Sequence, residues 1–199
     1  MNRLQVNALK VKLLKLWVVR PERLWLASIA LHRRGHWVMA FWLKQLGGLL
    51  YANSLSPGAE VSPDVVLGHN SIGIVVTPNC TIGKRVRIWQ NVTLSAGRSE
   101  RPAPAGNGSM PHPGAAPGGE QGPPSRIIIE NDVSIGANAV VIAPRGRPLT
   151  IGRGASVGAG TVVTEDVPQG ATVVGPPARV ITREERARRA AEETAEADR

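Results

Sequence analysis

The chain has 199 residues, of which 42% are hydrophobic, 20% charged and 4% aromatic, the balance of a globular protein whose core is built from aliphatic side chains. Its formal charge of +9 suits a polyanion, a membrane surface or a phosphorylated ligand. The single cysteine, Cys80, excludes an internal disulfide, Lys10, Lys12 and Lys15 interrupt any apolar leader, and no uncharged apolar run reaches the ~20 residues that span a bilayer, so a cytoplasmic protein is expected.

Residues 1–52 read as a helical region, because Leu13, Leu14 and Trp17, then Leu24 and Leu31, then Trp37, Phe41 and Leu46 recur at three- to four-residue and longer helical spacings. Pro21 and the pair Gly47-Gly48 are expected to punctuate it. Nine cations (Arg3, Lys10, Lys12, Lys15, Arg20, Arg23, Arg33, Arg34 and Lys44) share this region with one acid, Glu22. Trp17, Trp25, Trp37 and Trp42 are expected to pack the helices against the remainder of the chain or against a neighbouring subunit. The alternative is a weak contact with a membrane surface.

Residues 53–182 change character. Aliphatic residues recur every sixth position at Leu55, Val61, Leu67, then Val76, Ile82, Ile88, Leu94, then Ile129, Ile135, Val141 and, after a four-residue slip at 144–147, Ile151, Val157 and Val163. Four residues after most of them stands a second small or branched residue, Cys80 among these, so each unit of six offers two inward positions. A helix, with its period of 3.6, is excluded. Glycine follows the aliphatic at Gly68, Gly83, Gly136, Gly152 and Gly158, as expected where φ is unusual or backbone crowds. The pattern is a hexapeptide repeat, three short strands to a coil with coils stacked in parallel. One buried Val or Ile contributes about 1.5–3 kcal/mol against a backbone entropy of about 1–2 kcal/mol per residue, so only a stack is stable.

The stretch 97–125 is crowded with Pro, Gly and Ala and is read as a flexible insertion. Residues 183–199 mix Arg, Glu and Ala without an apolar stripe and are read as a charged, solvated helical tail. Of the four histidines, His32 and His36 fall in the helical region and His112 in the insertion. His69 lies on a coil, in the segment Leu67-Gly68-His69-Asn70-Ser71-Ile72-Gly73-Ile74-Val75-Val76, where the aliphatics stand nine residues apart, an interruption that can turn a side chain out toward a neighbouring surface.

From this segment on, the sequence resembles the serine acetyltransferase group of hexapeptide-repeat acyltransferases. The likeness runs in order through His69 and Gly73-Ile74-Val75, Ile82-Gly83, Gln90-Asn91-Val92-Thr93-Leu94, Ile135-Gly136-Ala137-Asn138-Ala139, Ile151-Gly152-Arg153-Gly154-Ala155, Val157-Gly158-Ala159-Gly160 and Gly175-Pro176-Pro177-Ala178-Arg179-Val180. The resemblance implies a mainly β architecture, a left-handed parallel β-helix with a short N-terminal helical region and a C-terminal helical tail, assembled as a homotrimer. It implies acetyl transfer from acetyl-CoA to a hydroxyl, as from L-serine to O-acetylserine, with no metal. By position, His69 would be the general base of a direct attack without an acyl-enzyme. Ala137, Ala159 and Thr164 would line the acetyl-CoA groove with Arg179 at its phosphorylated end, and Asn70 and His112 would lie on the acceptor side.

The chain also departs from the family. Ser54-Leu55-Ser56-Pro57 stands where the family has Asp-Ile-His-Pro, Gly68 replaces the aspartate before the base, and only His112 is available for the family's second histidine. Glu165 occupies a position where related sugar acetyltransferases carry lysine. The ending Ala197-Asp198-Arg199 lacks the isoleucine that docks into cysteine synthase, so that complex is not expected. Alternative readings are O-acetylation of a sugar, polysaccharide precursor or specialised metabolite, and an inactive coil serving as an assembly scaffold. A zinc carbonic anhydrase on this coil needs three histidines where only His69 lies on a coil, and no stacking-aromatic motif supports nucleic acid.

Overall fold

The computed structural model describes residues 20–96, 125–175, 179–182, 184, 185 and 188. The first 19 residues with Trp17, the stretch 97–124 with His112, and most of the tail lie outside the described residues.

Helix α1, Pro21–Arg33, begins with proline in its first turn, where a missing N–H removes no hydrogen bond. Glu22 in its first turn and His32 and Arg33 in its last complement the helix dipole. The chain reverses at Gly35, whose φ of +82° suits glycine, and α2 spans Trp37–Tyr51. Gly47 and Gly48 do not interrupt α2, contrary to the sequence expectation. They are small because the chain folds back over them: a Cβ on Gly48 would lie 3.2 Å from the carbonyl oxygen of Asn53. The helix closes instead at Ala52, in the left-handed region at φ 51°, with its N–H donating to the Gly48 carbonyl at 2.9 Å.

Among the described residues, fourteen short strands then visit three sheets in rotation, with an isolated bridge between Ile151 and Val167 in place of a strand at the last visit to the second sheet. The first sheet holds β1 (Ser54–Leu55), β4 (Val75–Val76), β7 (Thr93–Ala96), β10 (Val140–Ala143) and β13 (Val162–Val163). The second holds β2 (Glu60–Val61), β5 (Cys80–Ile82), β8 (Arg126–Ile129) and β11 (Pro148–Ile151). The third holds β3 (Val66–Leu67), β6 (Arg87–Ile88), β9 (Ser134–Ile135), β12 (Ser156–Val157) and β14 (Thr172–Val174). Every pairing among these is parallel, and the inward aliphatics stack in register, as in Leu67↔Ile88, Ile88↔Ile135 and Ile135↔Val157. A fifteenth strand, β15 (Arg179–Ile181), turns back antiparallel on β14 and covers the end of the third sheet.

Of the six-residue aliphatics, Val61 is half-buried and the others are buried, and the second inward row, including Cys80, Val86, Val92, Val133 and Ala139, is buried throughout. The glycines after the aliphatics answer to crowding rather than to φ. A Cβ on Gly136 would stand 2.5 Å from the Ala159 nitrogen of the next coil. Positive φ falls instead three residues after the aliphatic, at Arg85, Asn91, Asp132 and Asn138, whether or not glycine follows that aliphatic. Trp25 joins the helices to the coil: it is buried, and its Nε1 donates to the Ser56 carbonyl at 2.8 Å. Trp37 and Trp42 do not pack on this chain's coil as expected but stand 70% and 66% exposed.

At the end of the coil, the Thr182 N–H donates to Glu185 Oε2 (3.0 Å) and the Glu185 N–H to Thr182 Oγ1 (3.2 Å), a reciprocal cap on a turn in which Glu184, Glu185 and Arg188 are helical.

Candidate active site

His69 sits in a short 3-10 turn, Gly68–Ser71, between β3 and β4. Three consecutive non-glycine residues there are left-handed, His69 (φ 47°), Asn70 (φ 56°) and Ser71 (φ 61°), with Gly73 beyond them at φ 68°. Such conformations cost about 1–3 kcal/mol each and persist only where the surroundings over-determine them. Here they do. Ser71 is fully buried and its Oγ accepts from Asn53 Nδ2 at 2.7 Å while donating to the Asn70 carbonyl. The Gly73 N–H donates to the Ala52 carbonyl, and the Asn91 N–H of the next coil to the Ile72 carbonyl, both at 2.9 Å. Glu22 reaches over from α1 so that its Oε1 accepts the Leu67 N–H at 3.0 Å. The braces push the imidazole outward, and His69 and Asn70 are both exposed.

Beside His69 lies Trp89, with ring centroids 5.8 Å apart. The indole occupies the space that a side chain at position 68 would need: a Cβ on Gly68 would fall 2.6 Å from Trp89 Cε3. Glycine and tryptophan are thus one arrangement, and Ile72 extends the apolar surface on the other side of the turn. Neither Trp89 nor Glu22 is marked by the sequence pattern as a site residue. A signal existed for Trp89, the one aromatic residue after Tyr51.

The register continues from this turn along one edge of the stack. Beyond the paired ends of β3, β6, β9, β12 and β14 come Gly68, Trp89, Gly136, Gly158 and Val174, and one residue further His69, Gln90, Ala137, Ala159 and Gly175. Bonds between successive corners hold the alignment, Asn138 N–H to the Gln90 carbonyl at 3.0 Å and Gly160 N–H to the Ala137 carbonyl at 2.8 Å. Arg179, exposed on β15 and paired with Val174, ends the row. His69, Ala137, Ala159 and Arg179 therefore share an edge, separated end to end by five inter-strand steps of about 4.8 Å, roughly 24 Å in all. Thr164 does not share it; it stands just after β13 and lies exposed on the far edge of the first sheet.

Within the row, the side-chain oxygen Oε1 of Gln90 is buried without a hydrogen-bond partner among the described residues. An orphaned buried acceptor is a place for a ligand's N–H. Among the described residues no three His, Cys, Asp or Glu side chains come together as a metal site, and no helix is long and apolar enough to cross a membrane.

No protein-family model matches the chain. It is similar to the serine acetyltransferase of Bacillus licheniformis, 32% identical over 152 residues that cover 76% of this chain and 58% of that protein. A 2,3,4,5-tetrahydropyridine-2,6-dicarboxylate N-acetyltransferase of Staphylococcus aureus is 51% identical over 70 residues, 34% of this chain and 28% of that one. Among solved structures, soybean serine acetyltransferase complexed with serine superposes with a TM-score of 0.59 at 30% identity, covering 80% of this chain and 55% of that one. The chain thus spans little more than half the length of the serine acetyltransferases it matches.

Proposed function

We propose that this chain, a serine acetyltransferase-like member of the hexapeptide-repeat acyltransferase family, transfers the acetyl group of acetyl-CoA to the hydroxyl oxygen of a small acceptor, with L-serine the first acceptor to consider. The observation that carries this reading is the common edge on which an outward imidazole, two small side chains and a terminal arginine succeed one another over roughly 24 Å. In the proposed assembly the coil is left-handed, and three copies pack side by side so that a neighbouring coil forms the other wall of each groove.

The donor fits this edge chemically. Ala137 and Ala159 leave room for the pantetheine arm to lie against backbone, the buried Gln90 Oε1 offers an acceptor to one of its amide N–H groups, and Arg179 presents a planar fork to phosphate. Thr164, on the neighbouring edge, would reach the donor only across the first sheet. At the other end, an imidazole nitrogen of His69 takes the proton of the acceptor hydroxyl as that oxygen bonds to the thioester carbonyl carbon. The tetrahedral oxyanion is stabilised by backbone N–H donors. It collapses with cleavage of the C–S bond, and the imidazolium returns its proton to the departing thiolate, so that ester and free CoA leave and the base is regenerated. Asn70, next to the base in the same exposed turn, would contact the acceptor. His112 would do so from the insertion.

A second acceptor class has one observation in its favour. The half-exposed indole of Trp89 beside His69 offers a flat apolar face, which suits the C–H face of a sugar ring better than the ammonium and carboxylate of serine. The deciding experiment incubates the full chain with acetyl-CoA and L-serine, homoserine or hexoses and monitors thiol release. An acceptor-dependent signal that falls by about 10²- to 10⁴-fold in His69→Ala is the expected result. Full turnover by that variant would refute the assignment of the base.

A further inference from the structure

Helix α2 is amphipathic in the wrong sense for a helix of a water-soluble domain. Its buried residues are the small Ala40 and Gly47, whereas Trp37, Phe41, Trp42, Leu46, Leu49 and Leu50 are all more than 40% exposed, Leu49 reaching 83%. At about 100° per residue these side chains, with Val38 and Met39, sweep a continuous arc of roughly 220° that contains one polar residue, Gln45. Scattered exposed apolar residues need no explanation, but a contiguous face of this size marks a partner. We propose that this face docks on an anionic lipid bilayer.

Charge selects the bilayer over a second copy of the chain. The cations of the two helices are Arg20, Arg23 and Arg34, all exposed, with half-buried Lys44 on α2 itself. Arg33 is exposed as well, and Glu22, the one acid in the first 59 residues, is engaged with the Leu67 amide. Two such surfaces brought together would oppose like charges. An anionic lipid surface attracts every one of them. Tryptophan and phenylalanine beside cations are the composition of a helix lying in the headgroup plane, and at 15 residues α2 is too short to cross.

The fold ties this surface to the row of site residues. α2 packs on β1 and α1 on β3, so both helices sit at the end of the stack that carries His69, opposite the end that carries Arg179. A bilayer under α2 would lie beside the proposed base and far from the proposed phosphate end of the donor, whose negative charge it repels.

The test uses the full chain and sedimentation with vesicles of phosphatidylcholine alone or mixed with phosphatidylglycerol, without acetyl-CoA, so that its outcome is independent of catalysis. The expected result is pelleting with the anionic vesicles, weakened by high salt, and at least about tenfold weaker partitioning for the double variant Trp42→Ser, Leu49→Ser. Turnover of a soluble acceptor should be unchanged, since neither residue is in the proposed site. Three results would each overturn the proposal. These are no pelleting with either vesicle, equal pelleting with both, or a double variant that leaves partitioning intact. Sedimentation velocity in which the wild type self-associates through this face and ignores vesicles would assign it to a second copy instead.

Discussion

Replacing Gly136 by alanine probes why glycine recurs after the inward aliphatic. The new Cβ would lie 2.5 Å from the Ala159 nitrogen and 2.9 Å from both Ala159 Cα and Gly158 C. These are backbone atoms of the next coil and cannot rotate aside. Relief to the ordinary separation of about 3.5–4.0 Å requires the two coils to part locally by ~1 Å, against the Gly136 N–H bond to the Val157 carbonyl at 2.8 Å. Overpacking of this kind costs about 2–3 kcal/mol, which for a chain of this size lowers Tm by roughly 4–12 °C. Gly68→Ala is the control. Its two closest obstacles are ring atoms, Trp89 Cε3 at 2.6 Å and Cζ3 at 3.2 Å, on a residue that is 41% exposed and whose side chain can swing outward, and the one backbone atom in the way, Trp89 Cα at 3.3 Å, has to give by only a few tenths of an ångström. Its stability cost should stay below about 1 kcal/mol, while turnover falls because the indole leaves its place beside His69. Thermal unfolding monitored by fluorescence, paired with the thiol-release assay, reads both effects. An unchanged Tm for Gly136→Ala, or equal destabilisation by the two variants, would refute the argument from backbone crowding.

Arg179→Ala should raise KM for acetyl-CoA by about tenfold with little change in kcat, and Arg179→Lys should recover only part of that, because an ammonium cannot make the paired contacts of a guanidinium. Asn53→Ala removes the bond that braces buried Ser71; a loss of about 1–2 kcal/mol in denaturant unfolding, together with reduced kcat, is expected, and unaltered kinetics would show that the turn holds its shape without that brace. Burial pushes the Cys80 thiol up and hides it from solvent, so a thiol reagent should titrate no cysteine until denaturant is added. Hydrogen bonds from Arg85, and then its charge, hold the Asp132 carboxyl below its ordinary value. The stabilisation is therefore present above the unfolded carboxylate pKa near 4 and is lost as pH falls through the lower folded value. Tm measured from neutral pH down to about pH 3 should fall less steeply for Arg85→Ala than for the parent.

Much of the coil was legible because its signal is periodic. A core position filled by Ile, Val or Leu every six residues survives both the long insertion and the slip at 144–147, and the residues it marked are packed inside, Val61 alone being half-buried. The helices were legible as helices but not in their orientation. Trp37, Phe41 and Leu46 satisfy a helical period whichever way the face points, and it is packing on α1 and β1, with Asn53 close over Gly47 and Gly48, that turned the small residues inward. The cap at Thr182 and Glu185 carries its own short motif and could have been read directly.

The repeat by itself determined the inward rows, the existence of a stack and the anomaly at His69, because each depends on residues close in sequence whose side chains must alternate between core and water. Tertiary structure alone decided that His69, Ala137, Ala159 and Arg179 share one edge, that Trp89 fills the space above Gly68, and that Glu22 ties α1 to the strand before His69. Those relations join residues 21 to 110 positions apart. They arise from how many residues each corner consumes and how one coil's hydrogen bonds register on the next, a geometry no local period encodes.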